Sequence, residues 1–205
     1  MMIWRRAAFA AVLLAAFTPA AAYAQFDISA SFYEALTSAS SGVGTKQTPT
    51  NSDGGMAAAR YIRNPLVGFE LAYSYNRANQ TFAPDGTSCG YVCGGPTIAV
   101  RARAQEIAAD WVPSVKFGNL RPFAIGGVGF FITSPGDLVD YDVNTVVRPV
   151  FVYGAGLDWA LMKHFGVRLQ YRGNLYKAPD LTAIYPANGA FTQSAEPMGG
   201  LFYRF

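Results

Sequence analysis

Residues Val67–Asn76 read VGFELAYSYN, in which large apolar side chains alternate with small or polar ones. Successive side chains of an extended strand point to opposite faces. The alternation therefore predicts a β-strand with one apolar face and one polar face. The apolar face would carry Val67, Phe69, Leu71, Tyr73 and Tyr75.

Seven further segments show similar alternation. They are Gln25–Leu36, Met56–Arg63, Ile98–Trp111, Arg121–Thr133, Val150–Ala160, Phe165–Leu175 and Pro197–Phe205. Alternating segments of about ten residues are typical of strands in outer-membrane barrels. Glycines obscure the facing of the Arg121–Thr133 strand, which stays unassigned. Long connections, such as 37–55 and 77–97, alternate with short ones, and an even strand number predicts both barrel termini in the periplasm.

The composition favours strands over membrane-spanning helices. Charged residues make up 14% of the chain, aromatic residues 15%, and glycine occurs 21 times. An ordinary soluble surface needs about a quarter of its residues charged. No apolar run beyond the first 24 residues reaches the roughly 18 residues that a spanning helix needs. Since open sheet edges cannot face lipid, we predict an all-β fold, an eight-stranded antiparallel up-and-down transmembrane β-barrel.

A soluble barrel with an apolar cavity would show the same alternation. Aromatic residues near the strand ends favour lipid on the outside, because such residues concentrate at membrane interfaces. The residues concerned are Tyr73, Tyr75, Trp111, Trp159, Phe165 and Tyr203.

The first 24 residues have the features of a secretory signal peptide. Arg5 and Arg6 precede a short apolar stretch, and Ala22-Tyr23-Ala24 forms a small-x-small cleavage site. We expect removal of residues 1–24, export to the outer membrane, and a single barrel domain over residues 25–205. The formal charge of +3 would then fall by the two arginines to +1. The remaining arginines are scattered, so nucleic acid is not an expected partner.

The polar face of the predicted strands supplies charges of both signs. These inward residues are Asp27, Arg60, Glu70, Glu106, Asp110, Asp158, Arg168, Arg172 and Arg204. An eight-stranded barrel is just wide enough for side chains to fill it, and buried charges must be paired. Register around the short turns predicts that Arg60 faces Glu70 and that Asp158 faces Arg168. Barrel closure would bring Arg204 beside Asp27. A salt-bridge network that plugs the interior is preferred over a narrow passive channel.

Cys89 and Cys93 lie within one polar connection. In an oxidising compartment two such cysteines can form a local disulfide that staples the loop. A metal site would need more ligands than two thiols, and the single histidine, His164, is far away in sequence. The stapled loop is a candidate contact for an external partner, although protease resistance alone would also explain it.

His164 falls in a predicted periplasmic turn, where it is more simply a solvated residue than a catalytic base. We therefore predict no enzyme activity, no cofactor and no metal. A lipid-modifying enzyme remains the alternative, because some small outer-membrane barrels act on lipids. Long loops on a rigid scaffold often carry recognition, which favours a structural or surface-interaction role.

Several segments resemble the OmpA/OmpX-like family of small bacterial outer-membrane barrels. Tyr153–Trp159 and His164–Arg172 resemble its sixth and seventh strands, and Arg121–Gly129 resembles its fifth. Leu201, Tyr203 and Phe205 resemble the family's terminal signal for the barrel-assembly machinery. The resemblance implies structural or adhesin-like roles at the cell surface, and contact with outer-membrane lipid, lipopolysaccharide or a host surface.

Overall fold

The computed structural model describes residues 25–86, 96–136, 145–181 and 188–205. The predicted signal peptide and the predicted Cys89–Cys93 disulfide lie outside these residues. In the part of the chain that is described, no helix is long and apolar enough to cross a membrane.

The described residues form twelve strands, numbered here in chain order. They are β1 Gln25–Thr37, β2 Ser40–Gly42, β3 Thr45–Pro49, β4 Ser52–Ile62, β5 Gly68–Arg77, β6 Gln80–Pro84, β7 Ile98–Val100, β8 Ala102–Trp111, β9 Leu120–Pro135, β10 Val146–Ala160, β11 Phe165–Lys177 and β12 Phe191–Arg204. Eight of them close into a barrel in the order β1-β12-β11-β10-β9-β8-β5-β4. All their pairings are antiparallel, and β12 returns to β1. The predicted eight-stranded up-and-down barrel is confirmed.

The four shorter strands form a second sheet in the order β2-β3-β6-β7. The sequence had predicted plain loops over 37–55 and 77–97, and this prediction is wrong. The inner face of the sheet includes the polar residues Ser40, Thr45 and Gln47, so apolar alternation does not mark these strands. We call this end of the barrel the sheet end. The opposite end, where β1 begins and β12 ends, is the terminal end.

The limits of two barrel strands also differ from the predicted ones. The last strand begins at Phe191 rather than Pro197, because it includes the polar inward residues Ser194 and Glu196. The predicted strand Ile98–Trp111 is divided: β7 joins the second sheet, whereas β8 belongs to the barrel.

The barrel has an apolar outer face and a mixed lumen. Phe69, Leu71 and Tyr73 of β5 are exposed on the outside, while Glu70 is buried within. The facing of β9, which the sequence left open, is also resolved. Phe123 and Ile125 point into the lumen, and Val128 and Phe130 are exposed outside.

Candidate functional site

The lumen near the terminal end holds five charged side chains, which we call the terminal-end cluster. Its members are Asp27, Arg60, Glu70, Asp158 and Arg168, all at most 2% exposed. The register places Arg60 opposite Glu70 and Asp158 opposite Arg168. The side chains meet as well, since Arg60 Nε donates to Glu70 Oε2 at 2.6 Å and Arg168 Nε donates to Asp158 Oδ1 at 2.7 Å.

Arg168 also binds carboxylates on two strands that do not pair with its own strand, β11. Its Nη2 lies 2.9 Å from Asp27 Oδ1, and its Nη1 lies 3.4 Å from Glu70 Oε2. Arg60 Nη1 in turn reaches Asp158 Oδ2 at 3.4 Å, across the lumen. Such a network is expected to tie opposite walls of the barrel together, because each charge would be costly to bury alone.

Two aromatic rings pack against these arginines. The guanidinium carbon of Arg60 lies 4.0 Å from the ring centroid of Phe123, and that of Arg168 lies 5.5 Å from that of Phe202. The rings fit because glycines face them. A Cβ added at Gly156 would collide with the Phe123 ring, and one at Gly166 would collide with the Phe202 ring. Sequence reasoning missed Phe123 because the facing of its strand was unassigned.

A second group, the central cluster, surrounds Arg172 nearer the sheet end. Arg172 Nη1 lies 2.7 Å from Asp110 Oδ2, and Nη2 lies 2.9 Å from Glu106 Oε1. Glu196, which the sequence analysis did not select, is also buried here. Its Oε1 accepts hydrogen bonds from Asn174 Nδ2 at 3.0 Å and from Ser194 Oγ at 2.8 Å.

Acids outnumber arginines in the two clusters. Three arginines accompany six carboxylates, and five carboxylate oxygens have no hydrogen-bond partner among the described residues. These oxygens are Asp27 Oδ2, Glu70 Oε1, Glu106 Oε2, Asp110 Oδ1 and Glu196 Oε2. A buried acceptor without a partner costs about 1–3 kcal/mol, so the excess acids make the lumen less stable than full pairing would.

Arg204 is the one predicted lumen charge that stays outside the clusters. Its backbone pairs with that of Asp27, as barrel closure predicted. The Asp27 carboxylate binds Arg168 instead, and the Arg204 guanidinium lies over the Phe202 ring with a carbon-to-centroid distance of 4.9 Å. Closure of the strands therefore fixes the Arg204 backbone without bringing its side chain into the network.

Apolar side chains also line the lumen beside the central cluster. The rings of Phe131 and Tyr176 stack with centroids 4.3 Å apart. Tyr33, Met56 and Met198 belong to a buried cluster on the opposite wall. Charged and apolar side chains thus share the interior of the barrel.

The second sheet is attached to the segment between β11 and β12. Gln47 Nε2 donates to Gln80 Oε1 and to Pro179 O, both at 3.1 Å. Asn188 Nδ2 donates to Ser40 Oγ at 2.9 Å, and Leu181 is buried against Phe82 of β6. Burial raises the pKa of the Asp180 carboxyl in this segment, although nearby Arg148 favours the ionised form.

The terminal end carries an exposed aromatic group on its outer face. The Tyr203 ring packs against Phe165 at 4.9 Å and against Phe205 at 5.0 Å between centroids. Phe205 also lies 5.6 Å from Phe26, on the neighbouring strand β1. His164 belongs to the same end, and its Nδ1 lies 2.8 Å from the backbone oxygen of Arg204. Among the described residues, no group of three or more His, Cys, Asp or Glu side chains could hold a metal ion.

A closed antiparallel barrel with an apolar outer face and charged and polar side chains in its lumen defines the class of outer-membrane β-barrels. The sequence agrees with this class: the model of the outer membrane protein beta-barrel domain family matches residues 7–194. The chain belongs to that family. No curated protein matches the chain by sequence.

Solved structures of small outer-membrane proteins share the fold. OprG of Pseudomonas aeruginosa is 14% identical, with a TM-score of 0.64, over 89% of this chain and 96% of its own. Neisserial surface protein A is 15% identical, with a TM-score of 0.58, over 88% and 97%. Ail, the attachment invasion locus protein of Yersinia pestis, solved with the heparin analogue sucrose octasulfate, is 14% identical, with a TM-score of 0.56, over 90% and 100%.

Proposed function

We propose that this protein is a surface-interaction protein, with the sheet end outside the cell as its binding surface and the barrel as a plugged scaffold. The main observation is that the described parts of three barrel connections pack against one another at the sheet end. Gln47 links β3 to β6 and to the Pro179 backbone, and Leu181 closes a small apolar core beneath the sheet. A preorganised surface loses less conformational entropy on binding than flexible loops do.

Among the described residues of this surface, the tip of the β2–β3 hairpin is the most exposed apolar point. Val43 is 70% exposed and has a φ of 51°, a conformation that β-branched residues rarely adopt. It pairs with Gly44, whose φ is 77°, in a two-residue turn. Lys46 lies two residues further on and points away from the buried face. Backbone strain held at an exposed apolar tip supports a role in contact with a partner.

The experiment is attachment of bacteria that display the protein to host-cell monolayers. Val43→Asn introduces a residue that tolerates positive φ and removes the apolar tip, and Lys46→Gln removes the charge. We expect both to reduce attachment several-fold. Arg63→Gln, at the terminal end, is the control. Equal attachment by all variants and by cells without the protein would contradict the proposal.

A sulfated saccharide is the first ligand to test, because the Ail structure contains a heparin analogue. In this chain, the exposed cations at the sheet end include Lys46, Arg77, Arg101 and Arg103. Sucrose octasulfate should inhibit attachment if these cations bind a polyanion. Lack of inhibition would leave a protein or uncharged partner as the target and exclude a polyanion.

Lipopolysaccharide is the proposed lipid partner. Arg77 and Arg103 face each other in the β5–β8 register and are exposed outside the barrel. Tyr75 and then Tyr73 follow on the same face, toward the terminal end. Cations just beyond an apolar belt suit the acidic headgroups of an outer leaflet. Joint replacement of both arginines by Gln should lower the lipopolysaccharide retained on purification, whereas Arg63→Gln should not.

The terminal aromatics support a further proposed contact, with the barrel-assembly machinery. Leu201 and Phe205 are each 65% exposed, and Tyr203 packs between Phe165 and Phe205. An exposed aromatic strand end is accessible to an assembly factor before the barrel closes.

We propose no catalytic role. The one histidine, His164, contacts the Arg204 backbone oxygen, and within the described residues no serine, threonine or cysteine side chain forms a hydrogen bond with its ring. Lipid hydrolysis by the purified protein, abolished by His164→Ala, would overturn this assignment and favour the lipid-modifying alternative.

A further inference from the structure

A polar pocket opens at the terminal end of the barrel, opposite the proposed binding surface. It has a volume of about 350 Å³ and lies between the β8–β9 turn, the β10–β11 turn and the end of β12. Backbone hydrogen bonds fix its walls: Ala160 N donates to Asn119 O at 2.8 Å, and Arg204 N donates to His164 O at 2.7 Å. The pocket is therefore a built feature of the barrel.

Four cations line this pocket, namely Lys116, Arg121, Lys163 and Arg204, and Asp158 is the one acid in the lining. Asp158 is already bound, since both its oxygens accept from Arg168, at 2.7 and 3.0 Å. The terminal-end cluster behind it has three carboxylates and two arginines, a formal charge of −1. That charge is too small to balance four cations.

Two of the cations have buried donors without a partner. Arg121 is only 8% exposed, yet its Nη1 makes no hydrogen bond. Arg204 Nε is likewise buried and unpartnered. A buried donor left unpaired is costly, and guanidinium groups match the oxygens of phosphate especially well. These donors point to a ligand that brings several acceptor oxygens and negative charge.

We propose that this pocket binds a phosphate group, with Arg121 and Arg204 as hydrogen-bond donors and Lys116 and Lys163 at the rim. Charge-assisted hydrogen bonds to phosphate are about twice as strong as neutral ones, which suits a site with four cations. The phosphate could belong to a phospholipid headgroup of the inner leaflet or to a free solute. This site does not depend on the surface-interaction role of the sheet end, and only the choice of the inner leaflet rests on the orientation proposed above.

The test is calorimetric titration of inorganic phosphate into the whole protein in a detergent that contains no phosphate. We expect saturable binding at one site, weakened about tenfold or more by Arg121→Gln and less by Lys163→Gln. Lys177→Gln, an exposed change at the sheet end, should leave binding unaltered. Heat-dependent gel migration checks folding, and if Arg121→Gln misfolds, Lys163→Gln on its exposed turn carries the test.

The source of the phosphate is tested by native mass spectrometry of protein extracted from membranes. Retained phospholipid that is lost in Arg121→Gln identifies a headgroup, whereas phosphate binding without retained lipid identifies a free solute. Either result supports the site. Absence of saturable phosphate binding together with no Arg121-dependent lipid, or equal weakening by Lys177→Gln, would overturn it.

Discussion

The Arg60 guanidinium lies over the Phe123 ring inside the barrel, with 4.0 Å between its central carbon and the ring centroid. This contact joins β4 to β9, two strands that do not pair. Arg60 also forms an ion pair with Glu70. Its guanidinium group therefore contacts both an aromatic ring and a carboxylate. The lumen is thereby packed as a core.

Replacement of Phe123 by Leu tests this packing. Loss of the ring removes a cation–π contact and leaves a cavity, so we expect the free energy of unfolding to fall by about 2–3 kcal/mol. Urea titration in detergent micelles measures it. Phe130→Leu is the matched control on the same strand, because Phe130 is exposed outside the barrel. A larger loss for Phe130→Leu would contradict the assigned facing of β9.

Gly156→Ala tests how closely the Phe123 ring fits. An added Cβ would collide with the ring and with the Leu169 backbone oxygen, so we expect destabilisation. The temperature at which the folded band disappears on a gel should fall clearly. Gly126→Ala is the control, since a Cβ there meets nothing within 4 Å. If both variants melt alike, the ring does not occupy the lumen as described.

Arg172→Gln and Glu196→Gln should have opposite consequences. Removal of Arg172 leaves Glu106 and Asp110 without their cation, which costs about 3–5 kcal/mol for a buried pair. Glu196→Gln removes one excess negative charge and keeps an oxygen that can accept from Asn174 and Ser194. We expect it to be neutral or stabilising in urea unfolding. Strong destabilisation by Glu196→Gln would show that its charge is needed.

Phe205→Ala tests the proposed assembly signal. Phe191 begins β12, Phe205 directly follows its last residue, and both are 65% exposed, so Phe191→Ala is a matched control. We expect Phe205→Ala to lower the fraction of heat-modifiable protein in the outer membrane several-fold, whereas purified chains of both variants refold alike in detergent. If Phe205→Ala instead lowers only the refolding yield of the purified chain in detergent, Phe205 has a packing role, through its contact with Phe26.

The sequence predicted the pairing of strands that are joined by a short turn. Arg60 and Glu70 are ten residues apart around a short turn, so alternation and turn length suffice to set them opposite each other. The same reasoning set Asp158 opposite Arg168. The barrel class followed from outward apolar residues that repeat at every second position.

Contacts across the lumen could not be predicted in this way. Arg172 binds Glu106 although their strands, β11 and β8, are not neighbours, and only the closed barrel defines which side chains meet at its centre. Glu196 escaped notice because Ser194 and Glu196 make the start of β12 look polar. The second sheet was missed because a hairpin such as β2–β3 is held by backbone pairing and polar contacts like Gln47–Gln80, without an apolar periodicity.

Conductance in planar lipid bilayers tests most directly the claim that the barrel is a filled scaffold. Fully buried side chains, including Arg60, Arg168 and Arg172, occupy the lumen, so the purified wild-type protein should insert without discrete ion steps. Phe123→Ala combined with Arg60→Ala, which empties part of the lumen, is the comparison variant. Absence of steps in the wild-type protein is the predicted result. Stable, uniform current steps from folded wild-type protein would contradict the account and identify a channel.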